Sequence, residues 1–216
     1  MQRVFGTILL LVVVAAVIWR LPTNGWPSLL WLATQLGITF IRAPYSKRTS
    51  ENVSMKQSAQ GTERLLLGLV AVLGGPLPIA HLAFGIFSFA NYSVPVWASA
   101  AGGVALVFAL WLFWRSHADL GDNWSVTTEL REGHNLTTRG VYARIRHPMY
   151  LAIFLLFGLQ PLFLQNWIAG WSGLAAFTLM YFVRVPYEEA MMREQFGEEY
   201  DFYCARTGRI FPKFGG

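Results

Sequence analysis

Charge is missing from this chain in four long blocks, and that constrains the fold more than any other feature. No Asp, Glu, Lys or Arg occurs in 4–19, 21–41, 65–114 or 149–183. Hydrocarbon cannot hydrogen-bond an open backbone, so apolar blocks of this scale enter a bilayer as helices, each of about 20 residues. Of 216 residues, 54% are hydrophobic and 13% charged, about half the charge of an ordinary soluble domain.

Two of the blocks are too long for one helix. At about 1.5 Å per residue, either would overrun a hydrocarbon core of about 30 Å. Polar and proline-containing stretches divide them at Asn91-Tyr92-Ser93-Val94-Pro95 and at Gln160-Pro161 through Gln165-Asn166. The expectation is an all-α polytopic membrane protein of about five to six helices, near 4–20, 26–42, 64–89, 95–115, 148–163 and 166–185. The last two are short and form a C-terminal hairpin. Gly74-Gly75 and Gly102-Gly103 let helices approach closely, and Pro76 and Pro78 predict a kink in the third helix. His81 reads as a hydrogen-bonded interior residue.

Basic residues give the orientation. With the N-terminus inside, every Lys and Arg except Arg20 falls on the inner side, and so do all 12 acids. The net charge of +5 therefore reflects topology and contact with anionic lipid, and nucleic acid is a poor partner. The expectation is a multi-pass protein with both termini cytosolic, in a bacterial inner membrane or, if eukaryotic, the endoplasmic reticulum. Met1 to Arg20 lacks a small-residue cleavage site and reads as an uncleaved first helix. Cys204 is the lone cysteine, and His81, His117, His134 and His147 show no metal-ligand spacing.

The polar stretch 42–64 reads as a solvated connector, partly helical at the lipid surface. The stretch 116–147 is different: Gly121, Gly133 and Gly140 punctuate it into turns, and its interleaved Leu, Val, Trp and Tyr argue for order. At its end, His147 precedes Pro148, and proline suits the first helical turn. His147 then lies beside unpaired backbone donors, with Tyr150 in the same turn. The plain alternative is an interfacial cap with a belt tyrosine. Arg184 and Glu188, four apart, share a helix face; on its own that is an ordinary surface ion pair. Because the hairpin returns to the same membrane face, however, both can approach His147 and Tyr150. An Arg fork suits a carboxylate, while a Glu accepts from an amine or a ribose.

These motifs resemble one family. Gly140-Val141-Tyr142, then His147-Pro148-x-Tyr150, Arg184-x3-Glu188-Glu189 and Phe196-Gly197-Glu198-Glu199-Tyr200 are similar, as a combined pattern, to the isoprenylcysteine carboxyl methyltransferases. The likeness runs from about Asp119 to Pro212. It implies a division into N-terminal transmembrane helices (1–115) and a catalytic methyltransferase part (116–216) with a cytosolic cofactor-binding segment. It implies S-adenosyl-L-methionine as cofactor, contacted by His134, Asn135, Leu136, Thr137, Tyr142, His147, Pro148, Met149, Tyr150 and Glu188. Thr127 falls where relatives place a further cofactor-contacting residue, in surroundings that match less well. Arg184 takes the place of the substrate-binding arginine, and Arg184 and Glu188 are the expected catalytic pair; no metal is expected. No dinucleotide-type glycine fingerprint occurs.

The implied chemistry is methyl transfer to a lipid-modified acceptor entering from the bilayer, with the carboxylate of an isoprenylated cysteine as the leading choice. An ionised carboxylate needs no general base, only alignment and exclusion of water. A phospholipid amine or a small thiol is the nearest rival, and would call for a base such as His147 or Glu189. An NADPH-dependent sterol-type reductase and a non-catalytic scaffold or transporter are more distant readings.

Overall fold

The structure is a computed structural model that describes residues 2–51, 54–57, 61–121, 129–131 and 136–213. Helices dominate: α1 (Gln2–Asn24), α2 (Pro27–Glu51), α3 (Gly61–Gly74), α4 (Pro76–Phe84), α5 (Val96–Leu120), α6 (Pro148–Leu164), α7 (Ser172–Phe196) and α8 (Glu198–Arg206). Two short strands, β1 (Ser54–Gln57) and β2 (Glu129–Arg131), pair antiparallel. The all-α membrane class is borne out. Among the described residues, three spans are long and apolar enough to cross a bilayer: Gly6–Asn24, Gly61–Phe84 and Val96–Leu120, while Pro148–Leu164 is shorter.

The apolar surface faces outward as a lipid-immersed bundle requires. Trp19 is 86% exposed, and Leu10, Phe40, Val104, Val107 and Phe182 are exposed with it. In water such a surface would aggregate; in hydrocarbon it is the solvated one. Inside, Trp31, Leu82, Leu106, Phe113, Leu156 and Phe163 form the main core, and Leu66, Phe177 and Met180 a second cluster.

Lipid gives helices no hydrophobic reason to associate, so close packing must supply it. A Cβ on Gly74 of α3 would lie 2.6 Å from the Phe157 ring of α6. One on Gly173 of α7 would meet the same ring at 2.6 Å and the Gly74 backbone at 3.2 Å. Both glycines are therefore needed to seat Phe157 between α3 and α7. The Gly74–Pro76 kink divides the third hydrophobic span into α3 and α4, as the sequence predicts.

The connections collect at two ends. Asn24 Nδ2 donates to Leu82 O at 2.9 Å, joining the ends of α1 and α4. Tyr92 N donates to Gln165 O at 2.8 Å, and Asn166 Nδ2 to Asn91 Oδ1 at 2.7 Å. The opposite end gathers the start of α3, the end of α5, the start of α6 and the last half of α7. That end carries the polar site.

Some boundaries differ from the sequence reading. α2 continues through Pro44 to Glu51, so the front of the 42–64 connector is helical. α6 passes Pro161 and ends at Leu164, and α7 begins at Ser172 rather than near 166. The reason is Asn166, which is fully buried and whose Oδ1 accepts from Ile168 N and Ala169 N at 3.0 and 2.9 Å. Its side chain satisfies donors that a first helical turn would leave open. α7 also runs well beyond 185, because its polar C-terminal half keeps good helix formers until Gly197 (φ +52) stops it. Within the hairpin, α6 lies mainly against α5 and α7 mainly against α3.

Candidate active site

The site is built outward from Gly140. Its φ is +58, and a Cβ there would fall 2.0 Å from Asp119 Oδ2, so only glycine fits. The close approach lets Val141 N donate to that carboxylate at 2.9 Å, while Arg115 holds its other oxygen at 2.6 Å. Residues 140–143 form a 3-10 turn. The buried Tyr142 hydroxyl donates to Ser116 O at 3.3 Å, and Tyr203 Oη donates to Tyr142 O at 2.7 Å. The chain is thus anchored to α5 and α8 before it reaches His147.

Pro148 opens α6, with His147 as the half-helical residue before it (φ −125, ψ 57). The His147 carbonyl accepts the first bond of the helix, from Leu151 N at 3.2 Å. Its side chain does not cap the helix, so the ring is available to the site. Tyr150 stacks edge-on against it, with centroids 5.5 Å apart.

From α7, Glu188 bridges the two helices. Oε1 accepts from Tyr150 Oη at 2.8 Å and from Arg184 Nε at 2.7 Å, and Oε2 lies 3.8 Å from His147 Nδ1. His147, Tyr150, Arg184 and Glu188 therefore converge as the hairpin argument requires. Arg184 has a second carboxylate that the sequence reading did not name: Glu63 Oε1 at the start of α3, 3.5 Å from Nη1. The Arg184 and Glu63 side chains are each 11% exposed, so this pair carries more weight than a solvated one.

Glu189, next along, is 4% exposed. Its Oε1 receives His147 Nε2 and Arg146 Nε, each at 3.3 Å, and Arg209 Nε at 3.0 Å. Burial opposes its ionisation, but hydrogen bonds from His147 and Arg209, and their charges, outweigh that and hold its carboxyl down at about 2.

The remaining predicted contacts are placed less centrally. Pro148 is fully buried at the helix start, and Met149 packs against the main core. Tyr142 contributes a buried wall. Leu136 and Thr137 are half-buried in the irregular segment leading to Gly140. His134, Asn135 and Thr127 lie outside the described residues. Sequence reasoning missed Glu63 and Arg209 and gave Arg146, part of the motif it singled out, no role in the site. Glu63 borders the same membrane face as Arg184, but no spacing ties Arg209 to Glu189.

Apolar helices, three of them of membrane length among the described residues, with a His-Pro-x-Tyr start on the shorter α6 and an Arg-x3-Glu pair on α7 meeting in one polar cluster, define an integral-membrane protein. Residues 101–194 match the isoprenylcysteine carboxyl methyltransferase family. The probable protein-S-isoprenylcysteine O-methyltransferases of Oryza sativa subsp. indica and japonica are 36% identical over 83 residues, covering 37% of this chain and 41% of theirs. The human protein-S-isoprenylcysteine O-methyltransferase is 34% identical over 121 residues, covering 54% of this chain and 43% of its own. The chain spans about two fifths of the length of the curated relatives it matches. Glu63 and Arg209 both lie outside the matched stretch.

Proposed function

We propose that the chain transfers a methyl group from S-adenosyl-L-methionine to a lipid-modified acceptor, with the carboxylate of an isoprenylated cysteine as the leading acceptor. The observation that carries the reading is Glu188, held by Arg184 and Tyr150 and facing His147. The residues present fit the cofactor. Glu188 supplies a partly buried carboxylate for a cationic ligand, and the His147 and Tyr150 rings supply an aromatic wall. When bound, the cofactor supplies an electrophilic methyl group on a sulfonium.

The chain's own residues align and dehydrate. Arg184 orients the acceptor carboxylate with its planar fork, and Glu188 restrains that fork through Nε. Tyr150 fixes the Glu188 carboxylate through a hydroxyl that donates to Oε1. An ionised carboxylate needs no proton removed, so orientation supplies the rate, by several kcal/mol. The apolar faces of α6 and α7 admit a hydrocarbon tail from the side, with both termini on the cytosolic face of the membrane.

One observation favours a second reading. Glu63 adds a carboxylate beside Arg184 and Glu188, which suits a cationic phospholipid amine. Purified protein in lipid, given methyl-labelled cofactor and a panel of prenylcysteine, phospholipid and thiol acceptors, separates the readings. Label in prenylcysteine as a base-labile ester supports the first, and label confined to the amine supports the second. Absence of label from every acceptor overturns both.

A further inference from the structure

The segment after α8 reaches the most buried carboxylate of the site. Arg209 holds Glu189 bidentately, Nε to Oε1 at 3.0 Å and Nη2 to Oε2 at 2.5 Å. The same Oε1 receives His147 Nε2 at 3.3 Å. The backbones are joined as well: His147 N donates to Arg209 O and Arg146 N to Gly208 O, each at 2.9 Å, while Gly208 N donates to Arg144 O at 3.1 Å. Arg146 Nη1 adds a bond to Cys204 O at 3.3 Å. A Cβ on Gly208 would fall 1.7 Å from Phe211 O, so this strap turns only with glycine there. Residues 207–209 thus hold the His147 corner through main chain and side chain together.

We propose that Arg209 is a positioning residue, through which the C-terminal strap sets the His147 ring and hence the cofactor pocket; this rests on the cofactor reading above. A carboxylate gripped at both oxygens cannot rotate about its terminal bond. Glu189 then fixes one nitrogen of the imidazole while Glu188 faces the other. Without the fork, Glu189 keeps Arg146 and His147 as partners but is free to turn, and the ring turns with it. Arg209 itself is half exposed, so its removal opens no core cavity.

The test measures S-adenosylhomocysteine affinity by calorimetry, and acceptor KM, on the full chain in lipid nanodiscs. Arg209→Ala is expected to weaken cofactor binding at least tenfold while leaving acceptor KM unchanged. Arg193→Ala, which removes an exposed pair with Asp201, is expected to match the wild type. Arg209→Lys keeps the charge without the fork and is expected to fall severalfold below the wild type; it serves as the readout should Arg209→Ala not fold. Wild-type affinity in the folded variant overturns the role. So does an equal loss of cofactor and acceptor binding alongside a lowered melting midpoint, which marks simple destabilisation. A wild-type chain that binds no S-adenosylhomocysteine overturns the cofactor reading instead.

Discussion

Tyr150, in the first turn of α6, donates its hydroxyl to Glu188 of α7 at 2.8 Å. The bond closes the open end of the C-terminal hairpin, whose two helices otherwise pack mainly on other partners. Glu188 is oriented by an aromatic residue from one side and by Arg184 from the other. Tyr150→Phe keeps the ring and removes the hydroxyl. A hydrogen bond to a charged group contributes about 1.5–3 kcal/mol to stability, so the melting midpoint should fall by several degrees, and cofactor affinity should fall about tenfold by calorimetry because Glu188 is no longer fixed.

Arg184→Ala should reduce turnover by about two to three orders of magnitude, the scale of a lost charge-stabilising donor. Cofactor affinity should fall far less than turnover, by no more than the roughly tenfold expected when Glu188 loses its other anchor, Tyr150. Arg184→Lys should rescue poorly, because an ammonium cannot reproduce a planar fork. Single-turnover rates with saturating cofactor check both.

Acid should loosen the site through Glu189. Its carboxyl titrates near 2 in the fold and near 4.3 in an unfolded chain. Its stabilising contribution is therefore complete above about pH 5 and is lost as pH falls toward 2. Glu189→Gln should remove that part of the acid dependence. The melting midpoint in detergent, followed from pH 7 to pH 3, should fall more steeply for the wild type than for the variant.

Gly173→Leu should break the seat of Phe157, because even a Cβ there would stand 2.6 Å from the ring. Overpacking of this kind costs about 1–3 kcal/mol. The melting midpoint in detergent should drop, whereas the same change at Gly158, which has open space around it, should be nearly silent.

Much of this was legible in the sequence for a physical reason: hydrocarbon punishes charge, so charge-free blocks mark the apolar helices, three of which are long enough to cross a bilayer among the described residues. The kink at Gly74–Pro76 and the turn at Asn91–Pro95 followed from residue types with fixed backbone demands. The meeting of His147, Tyr150, Arg184 and Glu188 followed from the hairpin alone. What stayed hidden depends on packing between distant segments. Nothing local announces that Glu63 of α3 reaches Arg184, or that Arg209 folds back on Glu189. Asn166 was read as part of a turn, but its buried side chain decides how late α7 begins.

Photo-crosslinking with an azidoadenosyl analogue of S-adenosylmethionine, followed by peptide mapping, tests the central claim most directly. The account predicts labelling within 134–150 and 184–189, competed away by S-adenosylhomocysteine and lost in Glu188→Ala. Labelling confined to other segments, or labelling that the competitor leaves untouched, would contradict it.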